Sequence, residues 1–429
     1  MSLTEGLVRL IRAKDVTQDD LDAAAFFTLD AVANAIGGRS SAPGRTLLQW
    51  ADDVSPHDAG RRALMMGALT HILEMDDLHR ASVVHPGCVV VPAAFALSNG
   101  DGRDFLTAVL HGFEAACRVG MAVGKAHYKI WHSTATCGPF GSAMAGAHLL
   151  GLNDDEAVHA LGNAGTQSAG LWQFMETGAM SKHLHAGRGA EAGVVAAQLA
   201  KQGFTGPPKV LEGEQGLFAG ACPDADPDAV LRDPDHRWQL HESSIKPWPS
   251  CRHTHPSIDA ALELSGRIDD PAHIVRVTVE GYESVRDVCD RPTPKSVYEA
   301  KFSIQHCVAA ALTDGQVDFD SFEQDARDNL ADVRAKVGLN IMEPFVRAYP
   351  QDWGSAVEVE MADGTHHRVE RNHCKGDPEA QLTQDEMRNK SLMLMRLGGV
   401  KEPDGLIDAV FNMAHGGPVP DLATFAKFI

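Results

Sequence analysis

The sequence is poor in the signatures that most quickly name an enzyme. Its eight cysteines are scattered from Cys88 to Cys374, and none forms a CxxC pair. That spacing argues against a zinc ribbon, a thioredoxin-like site or a clustered-cysteine iron–sulfur centre. The HExxH helix of zinc peptidases is missing, as are the GK[ST] of a phosphate loop and the GxSxG of an esterase. No GxGxxG follows a strand pattern, so nucleotide cofactors lack support. Basic residues are scarce: 38 Lys and Arg against 58 Asp and Glu give a net charge of −20. A surface that acidic repels nucleic acid and anionic lipid. Long apolar runs are lacking too. Residues 81–100 and 130–153 carry no Asp, Glu, Lys or Arg, but His85, Pro86, Pro92, His132, Thr134, Thr136 and Pro139 make both too polar for a membrane span. The N-terminal MSLTEGLVRLIRAKD is charged and amphipathic rather than a signal peptide. With dispersed thiols, these features place the expected setting in the cytoplasm.

What is present is an ordinary globular composition, 44% apolar and 22% charged, over 429 residues. That is enough chain for about two to three domains without a disulfide or metal staple. The first half reads helical. Thr17 with Asp20 is an N-cap signal, and Leu21, Ala25, Leu29, Val32 and Ile36 follow at helix spacing until Gly37 and Gly38. Asn153 with Glu156 is a second start. Alanine and glycine crowd residues 140–200, which favours close helix packing over ligand contact. After about residue 265 the pattern changes. His273–Ser284 alternates valines with polar residues, and Ser355–Val369 does the same around an Asp363-Gly364 turn. Residues Ser303–Leu312 and Phe322–Leu339 read as helices, and Thr383–Met413 returns to helix. The expected fold is mainly α. A large helical domain, residues 1–262 and 383–429, carries an inserted α+β domain at 263–382.

Three stretches lack acid in this acidic chain. Residues 115–153 carry Arg118, Lys125, His127, Lys129, His132 and His148; residues 177–190 carry Lys182, His183, His185 and Arg188; residues 243–258 carry Lys246, Arg252, His253 and His255. Local positive charge of this kind suits an anionic ligand: Lys and Arg grip carboxylates and histidine moves protons near neutral pH. The densest mixed cluster is His71, Glu74, Asp76, Asp77, His79 and Arg80, followed by His85 and Gly87. Its groups suit a metal, but the spacing matches no zinc-helix motif. An acid–base role is the expectation, a solvated helix end the plain alternative. Thr134, Thr136 and Gly138 precede a small-residue helix whose N-terminus suits an anion. Cys137 and Cys251 read as inert thiols, and Trp172 and Phe174 as packing residues.

Taken together, EMDDLHRASVVHPGCVVVPAA (74–94), HSTATCGPFGSA (132–143), SKHLHAGRGAEAGVVAAQLAKQGFTGP (181–207), KPWPSCRHTHPSIDA (246–260) and AKFSIQHCVAAAL (300–312) resemble the MmgE/PrpD family. The resemblance implies an all-helical domain with a smaller α+β lid, a homodimer, and a site between the two domains. It also implies chemistry on small polycarboxylates without an iron–sulfur cluster. Members include 2-methylcitrate dehydratase, cis-aconitate decarboxylase and iminodisuccinate epimerase. The matching site positions are Glu74, Asp76, Asp77, His85, Lys182, His253 and His255. One departure stands out. Dehydratase and decarboxylase members read Asp-Phe-Asp-Asp-Thr where this chain has Glu74, Met75, Asp76, Asp77 and Leu78. The lost hydroxyl removes a hydrogen bond worth roughly 1–3 kcal/mol if buried.

The functional expectation is therefore proton abstraction beside a carboxylate, with charge held electrostatically in a water-poor pocket. Lys182 is the expected carboxylate anchor or base. His255 or His253 is the partner acid–base, and His85, oriented by Asp77 or Asp76, the third proton-handling group. Glu74, His132, Thr134, Thr136, Gly138, His185, Arg188, Lys246 and Arg252 are expected to bind substrate. No metal, cofactor, nucleic-acid or membrane partner is expected. A dehydratase-like lyase leads; an epimerase, a decarboxylase and a non-catalytic carboxylate binder are the alternatives. Lys182→Ala is expected to abolish turnover with little change in melting temperature.

Overall fold

A computed structural model describes residues 1–51 and 58–425. The fold is mainly helical. It divides into two compact units: a helical one, Met1–Ser243 with the chain from Thr383 onward, and an α+β one, Ser244–Leu382.

The helical unit runs α1 (Leu3–Ala13), α2 (Gln18–Gly38), α3 (Ala42–Ala51), α4 (Ala59–His71), α5 (Gly87–Leu97), α6 (Gly102–Ala122), α7 (Gly124–Tyr128), α8 (Ser133–Leu149), α9 (Asp154–Gly165), α10 (Ser181–Lys201) and α11 (Leu217–Ala221). Local chemistry sets several starts. Thr17 and Asp20 form a reciprocal capping box on α2, as Asn153 and Glu156 do on α9. The two uncharged stretches become α5 and α8. Helix α8 is buried from Ser133 to Ala147, as a helix with no polar face must be. It packs on α6, α9 and α10, and α10 packs in turn on α4 and α5. The small residues make these close crossings possible. A Cβ on Gly187 of α10 would sit 2.4 Å from the Leu64 carbonyl of α4, and one on Gly193 would sit 2.1 Å from Ser142 Oγ of α8. No helix among the described residues is long and apolar enough to cross a membrane.

The α+β unit contains α12 (His255–Ser265), β1 (Ile274–Gly281), α13 (Glu283–Cys289), α14 (Val297–Lys301), α15 (Ile304–Asp314), α16 (Gln324–Asn329), α17 (Ala331–Arg334), β2 (Val337–Ile341), α18 (Glu343–Ala348), β3 (Ser355–Met361) and β4 (His366–Arg371). The chain then returns to the helical unit as α19 (Gln384–Leu397) and α20 (Asp404–Met413). The sheet order is β2-β1-β3-β4. Strand β1 pairs parallel with β2 and antiparallel with β3, which turns into β4 with Gly364 at φ +85°.

Two sequence expectations are corrected. The α+β unit begins at Ser244, not 263, because α12 packs on α15, β3 and β4 and so belongs with the sheet. The helix expected over Phe322–Leu339 ends at Arg334, and residues 337–341 form edge strand β2. Only Val337 of its five residues is buried, and its partner β1 lies some sixty positions upstream.

Candidate functional site

In the helical unit, the C-terminus of α4 and the N-termini of α5, α8 and α10 bring one polar cluster together. Helix α4 ends at His71, and the chain then folds into a buried turn. Glu74 takes a left-handed backbone, φ +59°, a strained choice for a residue with a Cβ. Two distant side chains hold the turn: Lys390 of α19 and Asn34 of α2 both donate to the Met75 carbonyl, at 2.8 and 3.3 Å. Lys390 is also ion-paired with buried Asp30. Residues 74–80 are therefore buried, not a solvated helix end.

Within the cluster, Lys182 Nζ donates to both carboxylate oxygens of Glu74 at 2.6 Å, and both side chains are buried. Asp77 accepts the Gly87 backbone N–H with both oxygens, at 3.0 and 3.1 Å, and so caps α5. Asp76 Oδ2 lies 2.7 Å from His71 Nδ1 and 3.4 Å from His85 Nδ1. The His85 backbone N–H donates to Thr134 Oγ1 at 3.0 Å. The His71 ring meets His85 edge-on at 4.7 Å and stacks on His132 at 5.6 Å. His132 and His185 face each other through Nδ1 at 3.4 Å. Trp172 and Phe174 pack on these rings, with Trp172 5.0 Å from His132 and Phe174 5.6 Å from His185.

Burial decides the charge states. It holds His132 well below the usual imidazole range and His185 down at about 4, with the Lys182 ammonium adding to the effect. Burial thus favours the neutral form of both rings, which can still exchange hydrogen bonds. Burial also pushes the Cys88 thiol well up, and that thiol donates to the His85 carbonyl at 3.2 Å. His71, Asp76 and Cys88 each bring a potential ligand atom within 4.8 Å of the others. The hydrogen bonds already account for that closeness. A second such group, Asp352, His373 and Glu379, lies at the surface of the α+β unit.

Other expected residues go elsewhere. Thr136 Oγ1 is taken by His127 Nε2 at 2.8 Å, and Gly138 is a packing position, since a Cβ there would lie 3.0 Å from Val89. Arg188 is exposed and pairs with Glu191. Arg118 is buried against Glu114 at 2.7 Å and donates to the Arg232 carbonyl at 2.7 Å. Cys137, pushed up to about 12 by burial, is an inert thiol.

In the α+β unit, Lys246, Arg252, His253 and His255 are all buried. Arg252 is ion-paired with Asp377, whose oxygens also accept from Ser244 Oγ at 2.6 Å and the Cys374 N–H at 2.8 Å. His253 lies flat on Trp353, centroids 4.3 Å apart and planes 4° apart, with Nδ1 2.8 Å from Tyr282 Oη. Burial drives His253 down to about 3. His255 begins α12, with Nε2 3.3 Å from the Ser250 carbonyl and its ring against Trp248.

Sequence reasoning left three contributors unassigned: His71, Asn34 and Lys390. His71 stood inside the acidic cluster but was given no role. The other two lie far along the chain from the turn they hold, where no local pattern marks them.

Comparison with known proteins adds the following. Residues 6–229 match the MmgE/PrpD N-terminal domain model and residues 248–408 the C-terminal one. Relatives include a cis-aconitate decarboxylase-like protein, oryM, from Aspergillus oryzae, 29% identical over 359 residues, covering 74% of each chain. Cis-aconitate decarboxylase of Aspergillus terreus is 26% identical over 82% of this chain and 80% of its own. The mouse enzyme of that name is 27% identical over 76% of this chain and 70% of its own.

Proposed function

The chain belongs to the MmgE/PrpD family, and on that premise we propose that it is a lyase of a small di- or tricarboxylate, working by proton transfer at a carbon beside a carboxylate. The relatives' shared description as cis-aconitate decarboxylases supports the lyase class. The observation that carries the reading is the buried Lys182–Glu74 pair beside an imidazole cluster that shares the Asp76 carboxylate.

The chemistry follows from the groups. A dehydration begins by taking a proton from carbon; a decarboxylation leaves an electron pair on carbon that a proton must quench. Both need an imidazole that exchanges a proton and a cation that holds a substrate carboxylate. His85 is the proton-handling group, since Asp76 can balance its imidazolium across 3.4 Å. Lys182 is the carboxylate anchor. A substrate carboxylate replaces Glu74 on the ammonium, so binding exchanges one ion pair for another. The N-termini of α8 and α10 carry no side-chain cap, and their dipoles favour an anion. Neutral His132 and His185 offer hydrogen bonds without adding positive charge.

Glu74 and Leu78 set the specificity question. Leu78 is buried, and its side chain offers no hydroxyl. Incubation with 2-methylcitrate, citrate, cis-aconitate and iminodisuccinate stereoisomers in deuterated water, followed by proton NMR, tests the reading. A new vinyl signal marks dehydration, and loss of carbon dioxide with deuterium gained at carbon marks decarboxylation. Deuterium entering a stereocentre without a new alkene marks an epimerase and overturns the lyase reading. No change in any compound overturns both.

A further inference from the structure

We propose that His71 is a positioning residue of this site: its neutral ring, protonated at Nδ1, donates to Asp76 Oδ2 and so aims that oxygen at His85. The inference rests on the reading of the site as a proton-transfer centre, and adds to it a group that acts only through another.

His71 and Asp76 are both wholly buried, and the His71 Nδ1 to Asp76 Oδ2 distance is 2.7 Å. An ionised carboxylate only accepts hydrogen bonds, so the proton on that contact belongs to Nδ1. His71 Nε2 has no hydrogen-bond partner among the described residues. A buried N–H there would be left without an acceptor, whereas a bare lone pair is the less costly state. Both nitrogens thus select the same neutral tautomer. His71 closes α4, and its ring is wedged between the His85 and His132 rings at 4.7 and 5.6 Å. The same Oδ2 that His71 holds lies 3.4 Å from His85 Nδ1. A carboxylate whose rotation is fixed by one imidazole is thereby presented to a second. His71 touches the proton-handling group only through Asp76 and through ring packing, which makes it a positioning rather than a catalytic residue.

The test uses His71→Leu, which removes the donor, and His71→Asn, whose amide nitrogen occupies the place of Nδ1. On whichever compound of the polycarboxylate panel the wild type turns over, H71L lowers kcat about 10²-fold with KM changed less than about threefold. H71N restores kcat to within about threefold of wild type. Equal losses in both variants, or a change confined to KM, overturn the proposal. Histidine-selective ¹⁵N NMR of the ligand-free protein gives a second reading that needs no turnover and does not depend on H71L folding. The resonance missing from H71N must belong to a neutral ring protonated at Nδ1. An Nε2-protonated ring or an imidazolium at pH 7 overturns the proposal. If the wild type is inert to the whole panel, the lyase reading fails and the tautomer alone decides this inference.

Discussion

Lys182 and Arg252 sit in segments of the same composition, short, acid-free and rich in histidine, yet the two units use them differently. In the helical unit, one carboxylate, Asp76, is shared by two imidazoles, and the Lys182 ammonium is held by the Glu74 carboxylate on a strained turn. In the α+β unit, Asp377 is surrounded by Arg252, Ser244 Oγ and the Cys374 N–H, and His253 is laid flat in a cage of Trp353, Tyr282 and Tyr349. The lesson is about redundancy. A carboxylate gripped at once by a guanidinium, a hydroxyl and a backbone N–H is a fastening, whereas an ammonium paired to a carboxylate on a strained turn is placed to exchange it for a ligand's. Positive charge in an acid-free stretch marks both equally.

The largest expected effect separates the two uses at Lys182. The lysine is 3% exposed, so removing it takes a buried counter-charge from the buried Glu74 carboxylate. Breaking such a pair costs on the order of 3–5 kcal/mol. The expectation of an unchanged melting temperature for Lys182→Ala is therefore corrected. Lys182→Met should lose turnover by at least about 10³-fold and also melt lower, whereas Lys182→Met with Glu74→Gln should regain most of the stability and none of the activity. Calorimetry alongside the NMR assay checks this. A double variant that recovers turnover would place Lys182 outside the chemistry.

Arg252 should behave as the fastening. Arg252→Met leaves Asp377 with a buried, unbalanced charge and should cost roughly 3–5 kcal/mol of stability. Asp377→Asn should cost a similar amount, and the two together less than their sum. Denaturant unfolding of the four chains measures the coupling. Additive losses would show that the pair is not a unit.

These contrasts also show which parts of the molecule the sequence discloses. Capping boxes at Thr17–Asp20 and Asn153–Glu156 span four residues, so they are legible wherever they occur. The valine alternation in β1 and β3 is legible for the same reason, and the Gly-Ala stretch around 140–200 reads correctly as close packing. Strand β2 is not, since its five residues gain strand character only beside β1. The motif strings bring Glu74, Asp76, His85, Lys182 and His132 into view. They do not show that Thr136 is spoken for by His127 or that Arg188 faces solvent. Nor do they show that the turn at Glu74 is held from α2 and α19, since Lys390 reaches Asp30 across 360 positions of sequence. Residue type is local information; the identity of a partner is not.

Acid should sharpen the comparison next. His253, held at about 3 by burial, stays neutral in the folded chain while the unfolded chain takes up a proton below about 6.5. Its contribution is intact above pH 6.5 and is lost as pH falls from there toward 3, at up to about 1.4 kcal/mol per pH unit. His253→Phe should therefore flatten the fall of stability between pH 6 and 4 by about that slope. Chemical denaturation at several pH values measures it. An unchanged slope would mean that His253 is already protonated in the fold.

The smallest effect sets one hydroxyl of each unit against the other. Thr134 Oγ1 accepts the His85 backbone N–H, and Ser244 Oγ donates to Asp377. Both hydroxyls are buried. Thr134→Val leaves a buried N–H without its acceptor, and Ser244→Ala leaves a carboxylate one donor short. Each should cost about 1–3 kcal/mol, so both should melt a few degrees lower by a similar amount. Their effects on turnover should differ. His85 hangs from Thr134 by its own backbone, so a shift of a few tenths of an ångström there moves the proton-handling ring relative to Asp76 and lowers kcat. Asp377 keeps Arg252 and the Cys374 N–H after Ser244→Ala, so the pair holds and kcat per folded molecule stays within about twofold. Equal loss of kcat in both variants would mean that the two regions differ in appearance only, and that the α+β segment belongs to the chemistry as directly as the helical one.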